Sequence, residues 1–284
     1  MPKEEQMSTT TTTTQTAQPD LAAVKARQQK MWASGNYAAV AARIVPMAEH
    51  LAEAAGLRPG DRVLDVATGS GNAALAAARY GCEVTGVDYV PELLERGRAR
   101  AAAEGLEITF AEGDAEDLAF PDASFDAVLS VLGVMFAPDQ ERAAAELVRV
   151  CRPGGTIGLV NWTPAGFIGQ LLKTVSKHVP PPAGVRPPPQ WGTEERLREL
   201  LGDAVSHLEV TKRSHVWRFR SPEDFAGFFK DQYGPTRKAF EALDEAGQRR
   251  LWDDLTALAR EHDTERGLTV AMPAEYVEVI ATRA

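Results

Sequence analysis

Apolar positions along the chain first recur with a helical period. Leu21, Val24, Met31 and Trp32, then Val40, Ile44, Met47 and Leu51, fall at spacings of three, four and seven, and Gly35 punctuates two predicted helices. At Arg62 the period changes. The run Arg62 to Ala67 reads as a strand entering a Gly-rich turn, and Asn72 to Tyr80 as an Ala-rich helix. The unit repeats, with strands predicted over 83–87, 106–110, 125–131 and 156–162 and helices over 91–104 and 139–151. Pro91 occupies the favoured first helical position and Gly105 stops that helix. Such alternation predicts a parallel sheet covered on both faces, hence an α/β doubly wound fold.

After Trp162 the rhythm breaks. A helix over 166–177 leads into a proline-dense, semi-rigid loop over 180–189, and Thr193 caps a helix to about Leu201. An alternating strand over 207–219, a helical stretch from Ser221 to about His262 and a last strand over 268–281 bring the sheet to seven strands. Before Leu21, six consecutive threonines (Thr9 to Thr14) and almost no apolar residue predict a disordered tail over 1–20.

Composition narrows the classes. Hydrophobic residues at 44% and charged ones at 25% are an ordinary globular balance, and no run nears the roughly 18 to 20 apolar residues of a membrane span, so a cytoplasmic protein is expected. The net charge of -9 would repel a phosphate backbone, which argues against nucleic acid as a partner. Cys82 and Cys151 lack C-x-x-C spacing, and no two of the five histidines stand at i, i+4, so no metal site is expected.

Candidate chemistry gathers at the first strand-turn-helix unit. Asp65 leads into Ala67-Thr68-Gly69-Ser70-Gly71, where glycine permits positive φ and close backbone approach, and the next helix points unpaired N–H groups at the turn. Asp88, at the end of the second strand with Tyr89 beside it, suits the two hydroxyls of a ribose. This pairing serves NAD as well as an adenosyl cofactor. Asp65 favours the second, because a negative charge before the turn suits a cationic ammonium better than a pyrophosphate. Asp114 followed by Ala115 offers the acceptor and N–H donor that read an adenine edge.

The chain resembles the class I S-adenosylmethionine-dependent methyltransferases, in the small-molecule branch that includes the ubiquinone and menaquinone C-methyltransferases. The resemblance rests on V-L-D-V-A-T-G-S-G (63–71), V-T-G-V-D (84–88), E-G-D-A-E-D-L-A-F-P-D-A-S-F-D (112–126) and R-P-G-G-T (152–156). It implies that Asp65 and the turn of Ala67, Thr68, Gly69 and Gly71 hold the methionine part of S-adenosylmethionine, Asp88 the ribose, and Asp114 with Ala115 the adenine. It also implies that Ser130 and Val131 border the reacting methyl and that helices carrying Trp32 and Tyr37 close over the cofactor. Ala67 departs from the pattern, standing where many relatives have the turn's first glycine, and modest crowding is expected.

The organisation implied is one methyltransferase domain over 21–284: N-terminal helices over 21–57, a cofactor-binding core over 60–162, and acceptor-side insertions over 163–205 and 221–265. Trp162, Trp191, Phe228, Phe229 and Tyr233 are the candidate contacts of a small, partly aromatic methyl acceptor, with core packing as their alternative. His178 and Tyr233 are the candidate general bases, although the reaction need not use one. An NAD-dependent oxidoreductase and a cofactor-binding protein without turnover are the competing classes. Oligomeric state and the choice among O-, N- and C-methylation are not legible in the residues.

Overall fold

A computed structural model describes residues 20–284, so the predicted tail lies outside the described residues except for Asp20, whose side chain caps the first helix by accepting from Ala23 N. The strands are β1 (Arg62–Val66), β2 (Glu83–Asp88), β3 (Ile108–Glu112), β4 (Phe125–Val131), β5 (Cys151–Trp162), β6 (Val205–Phe219) and β7 (Val270–Arg283). They form one seven-stranded sheet in the order β3-β2-β1-β4-β5-β7-β6. The first five are parallel, and β7 enters antiparallel between β5 and β6. The helices are α1 (Leu21–Ala33), α2 (Tyr37–Ala41), α3 (Val45–Ala54), α4 (Asn72–Arg79), α5 (Pro91–Glu104), α6 (Gln140–Val150), α7 (Phe167–His178), α8 (Glu194–Leu201), α9 (Pro222–Gln232), α10 (Gly234–Ala242) and α11 (Glu245–His262). No helix among the described residues is long and apolar enough to cross a membrane.

Four local expectations are corrected. The N-terminal stretch holds three helices rather than two, and 221–262 is likewise three, interrupted at Tyr233 and again at Asp244, which caps α11 by accepting from Gly247 N. Strand β3 starts two residues later than predicted, because Gly105 turns left-handed and Leu106 N bonds back to Ala101 O, which spends Leu106 on the end of α5. Strand β5 begins at Cys151, and a register shift between Phe125 and Ala127 of β4 accommodates the Arg152–Gly155 turn.

Packing sets where the strands can end. Phe110 of β3 lies under the first turn so closely that a Cβ added to Gly71, Gly86 or Gly97 would fall 3.1, 3.1 or 2.8 Å from its ring. The three glycines therefore make the space in which that ring is buried. At the opposite side, Trp162 ends β5 opposite Tyr276, while the β6–β7 pairing continues to Val270 opposite Phe219. This extension rises beyond the carboxyl end of β5, the end at which open α/β sheets bind ligands.

Candidate functional site

At the carboxyl ends of β1, β2 and β4 lies a partly open cavity, with about 570 Å³ unfilled by protein when the solvent at its mouth is counted. Trp32, Tyr37, Ala67, Gly69, Asp88, Tyr89, Asp114 and Ala115 all line it, so the structure brings these eight sequence-selected residues together. The turn after β1 is bent as a close approach requires: Gly69 has φ +55° and Gly71 φ +86°. Ala67 has φ +52°, which shows that its departure from glycine carries a conformational cost rather than simple crowding.

Two buried carboxylates organise the turn. Asp88, ending β2, accepts from Gly69 N at 2.9 Å and from Val90 N at 2.9 Å, and burial pushes its carboxyl up to about 6. Asp65 accepts from Thr68 Oγ1 at 2.6 Å and from Ala74 N at 2.8 Å, and burial raises it to about 7 against the pull of those donors. Asp88 faces the cavity, whereas Asp65 supports the turn and the start of α4 from beneath. Thr68 and Gly71 also stay off the cavity wall, the first spent on Asp65 and the second packed on Phe110. Burial, with Asp88 nearby, holds the hydroxyls of Tyr37 and Tyr89 well above the usual phenol range.

The expected border at Ser130 and Val131 is displaced by two residues. Ser130 Oγ donates to Val66 O at 2.7 Å and accepts from Val134 N at 3.0 Å, so it ties the β1 and β4 ends together. Leu132, Gly133, Val134 and Phe136 form the wall instead. The reason is that Leu132 N still pairs with Val160 O, carrying the strand pattern one residue past Val131 before a short 3₁₀ turn over Val134–Phe136. Gly133, just beyond an apolar run, was the available signal.

At the adenine-side end, Asp114 Oδ1 accepts from Glu116 N at 2.9 Å, while Lys25 Nζ reaches Asp114 Oδ2 at 2.6 Å and Glu116 Oε2 at 2.7 Å. Lys25 and Glu116 escape sequence reasoning, because a polar residue on an N-terminal helix and one acid among several carry no distinguishing spacing.

None of the candidate acceptor contacts lines this cavity. Two of them, Tyr233 and Phe229, belong to an aromatic row leading away from it: Trp32 meets Phe136 at 4.9 Å and Tyr233 at 5.6 Å, Tyr233 meets Phe229 at 5.6 Å, and Phe229 meets Phe225 at 4.9 Å and Trp217 at 5.4 Å. Phe228 lies beneath the Arg43 guanidinium at 4.0 Å, and Trp162 packs edge-on against Tyr276. Burial raises the Tyr233 hydroxyl far above its ordinary value, which makes it a poor base. His178 is corrected: its Nε2 stands 2.7 Å from Asp254 Oδ2, fastening α7 to α11 away from the cavity. Sequence reading missed Asn161, fully buried near the end of β5 with neither amide atom partnered; Trp191, a candidate from sequence, is likewise fully buried with its indole N–H unpartnered.

Residues 64–159 match the family model described as a methyltransferase domain. An uncharacterized protein of Mycobacterium tuberculosis is 45% identical over 239 residues, 82% of this chain and 87% of that protein. A demethylmenaquinone methyltransferase of Deinococcus radiodurans is 41% identical over 127 residues, 43% of this chain and 53% of that enzyme. Among solved structures, the YcgJ protein of Bacillus subtilis superposes with a TM-score of 0.57 at 20% identity, over 84% of this chain and 98% of that one.

Proposed function

The chain belongs to the class I S-adenosylmethionine-dependent methyltransferases, and on that footing we propose that it methylates a small, partly aromatic, oxygen-bearing metabolite in the cytoplasm. When bound, the cofactor supplies a methyl group on a positively charged sulfur, already activated for direct in-line displacement. The observation that carries the reading is Asp88, a buried carboxylate on the cavity wall bonded to the N–H of Gly69 in the turn. Asp88 is suited to accept from ribose hydroxyls, the Ala67–Gly69 backbone to lie along the methionine part, with Asp65 supporting that turn, and Asp114 with Ala115 to read the adenine edge.

What remains for the protein is alignment and exclusion of water. Trp32 and Phe136 border the cavity and offer aromatic faces to a flat, partly apolar acceptor, with Tyr233 packed behind Trp32. The unpartnered amide of Asn161 and indole N–H of Trp191 support an acceptor with a carbonyl or hydroxyl oxygen, since burying such groups unsatisfied is costly. The local likeness to a demethylmenaquinone methyltransferase supports quinone or secondary metabolism as the setting. Thermal shift separates the cofactors: S-adenosylhomocysteine should raise the melting temperature and NAD should leave it unchanged. Release of S-adenosylhomocysteine from a panel of phenols, amines and hydroquinones then identifies the acceptor class, and stabilisation by NAD alone would overturn the proposal.

A further inference from the structure

Helix α1 lines the cavity from Lys25 to Trp32, and its far end also touches the acceptor-side insertion. Lys25, near its start, bridges Asp114 and Glu116 at 2.6 and 2.7 Å; the Glu116 side chain is 4% exposed, and its other oxygen accepts from Asp139 N. Farther along, the side chains of Gln28 and Gln29 donate to the carbonyls of Phe136 and Tyr89, both on the cavity wall. Trp32 then lies against Phe136 and Tyr233. Just past the helix, Asn36 N donates to Gln232 O at 3.1 Å, and a Cβ on Gly234 would fall 2.2 Å from Met31 O. The end of α1 thus packs backbone to backbone on the α9–α10 junction, roughly 10 Å of rigid helix from Lys25.

We propose that Lys25 is a positioning residue that seats α1, so that filling the adenine-side end of the cavity also orders the acceptor-side insertion at Gln232–Gly234. The proposal rests on reading the cavity as the cofactor site. A carboxylate has about four lone-pair directions, so Asp114 can accept from Lys25 and from an adenine amine together, and the two reinforce rather than displace each other. Without Lys25, Glu116 is a buried carboxylate that has lost its ammonium partner, and α1 loses its anchor at that end. Because these contacts sit on one helix and the short turn that follows it, loosening the anchor reaches the Trp32 end without any change to an acceptor-side residue.

Hydrogen exchange with and without S-adenosylhomocysteine tests this in wild type, Lys25→Met and Lys25→Arg, with the melting temperature confirming that each is folded. In wild type the ligand should slow exchange both at 67–74 and at 222–242. Lys25→Met should bind about tenfold more weakly and, at saturation, keep protection at 67–74 while losing it at 222–242; Lys25→Arg should restore both. Protection at 222–242 retained in Lys25→Met, or tighter binding by that variant, would overturn the proposal. Protection at 67–74 without any at 222–242 in wild type overturns it alone, whereas protection at neither segment also overturns the reading of the cavity.

Discussion

A Cβ on Gly133 would lie 2.5 Å from the carbonyl oxygen of Ala67 and 2.8 Å from its methyl carbon. The turns after β1 and β4 therefore touch through backbone, and the cavity wall depends on that contact. Gly133→Ala must push the turns apart, an overpacking cost of about 1 to 3 kcal/mol. Its melting temperature should fall, and calorimetry with S-adenosylhomocysteine should show weaker binding than that stability loss alone would bring.

Ionisation of Asp88 should govern the pH dependence of cofactor binding. Burial raises it to about 6 and Asp65 to about 7, from an ordinary 3.8. Both groups hold their proton more tightly folded than unfolded, so their stabilisation is full below 3.8 and is lost as pH climbs through 6 to 7. Binding runs the other way, because a ribose needs the ionised acceptor. Affinity for S-adenosylhomocysteine should rise from pH 5 to pH 8, and Asp88→Asn should lower it at pH 8 and flatten the profile.

Asn161→Leu should separate stability from turnover. Replacing an unpartnered buried amide by an apolar side chain of similar size removes a desolvation penalty of about 1 to 3 kcal/mol. The melting temperature should rise and S-adenosylhomocysteine affinity should hold, while methyl transfer to the acceptor falls. A drop in melting temperature would show that the amide is satisfied in the folded protein.

Phe229 is 2% exposed and packed by Trp217, Phe219, Phe225, Phe228 and Tyr233. Phe229→Ala should therefore cost about 3 to 5 kcal/mol of stability in denaturant titrations. If stability instead holds while the acceptor KM rises, Phe229 is an acceptor contact before it is core.

His178→Ala should leave methyl transfer unchanged, because its imidazole is engaged with Asp254 away from the cavity. The stability change should stay within about 1 kcal/mol, the range for a partly exposed pair. A large loss of turnover at constant melting temperature would return His178 to the reaction.

Periodicity carried the core of the fold, since parallel strands buried on both faces leave short, mostly apolar runs such as those ending at Val66 and Val131, each broken by one polar residue, Asp65 or Ser130. The cavity wall was legible where a charged residue ends a strand or closely follows it, as with Asp88 and Asp114. It was not legible where register decides: Ser130 yields the wall to Leu132 because one further ladder bond forms at Val160. Asp65 shows another limit, because a buried acid before a turn reads the same whether it meets a ligand or, as here, caps the helix behind it. The acceptor side was least readable, because Phe229 and Tyr233 have the spacing of core and of lid alike.

Phe110 and the glycines at 71, 86 and 97 amount to one lock with four tumblers. A side chain at any of the three crowds the ring, most of all at Gly97, and shrinking the ring makes room there; Gly71 stays glycine for its φ of +86°, and a Cβ on Gly86 also meets Thr68 Oγ1 at 3.0 Å. The order of change therefore matters: Phe110→Leu first should make Gly97→Ala tolerable, whereas Gly97→Ala first should not survive to meet it. A lineage can leave this arrangement through Phe110, and the glycines hold the door shut from their side.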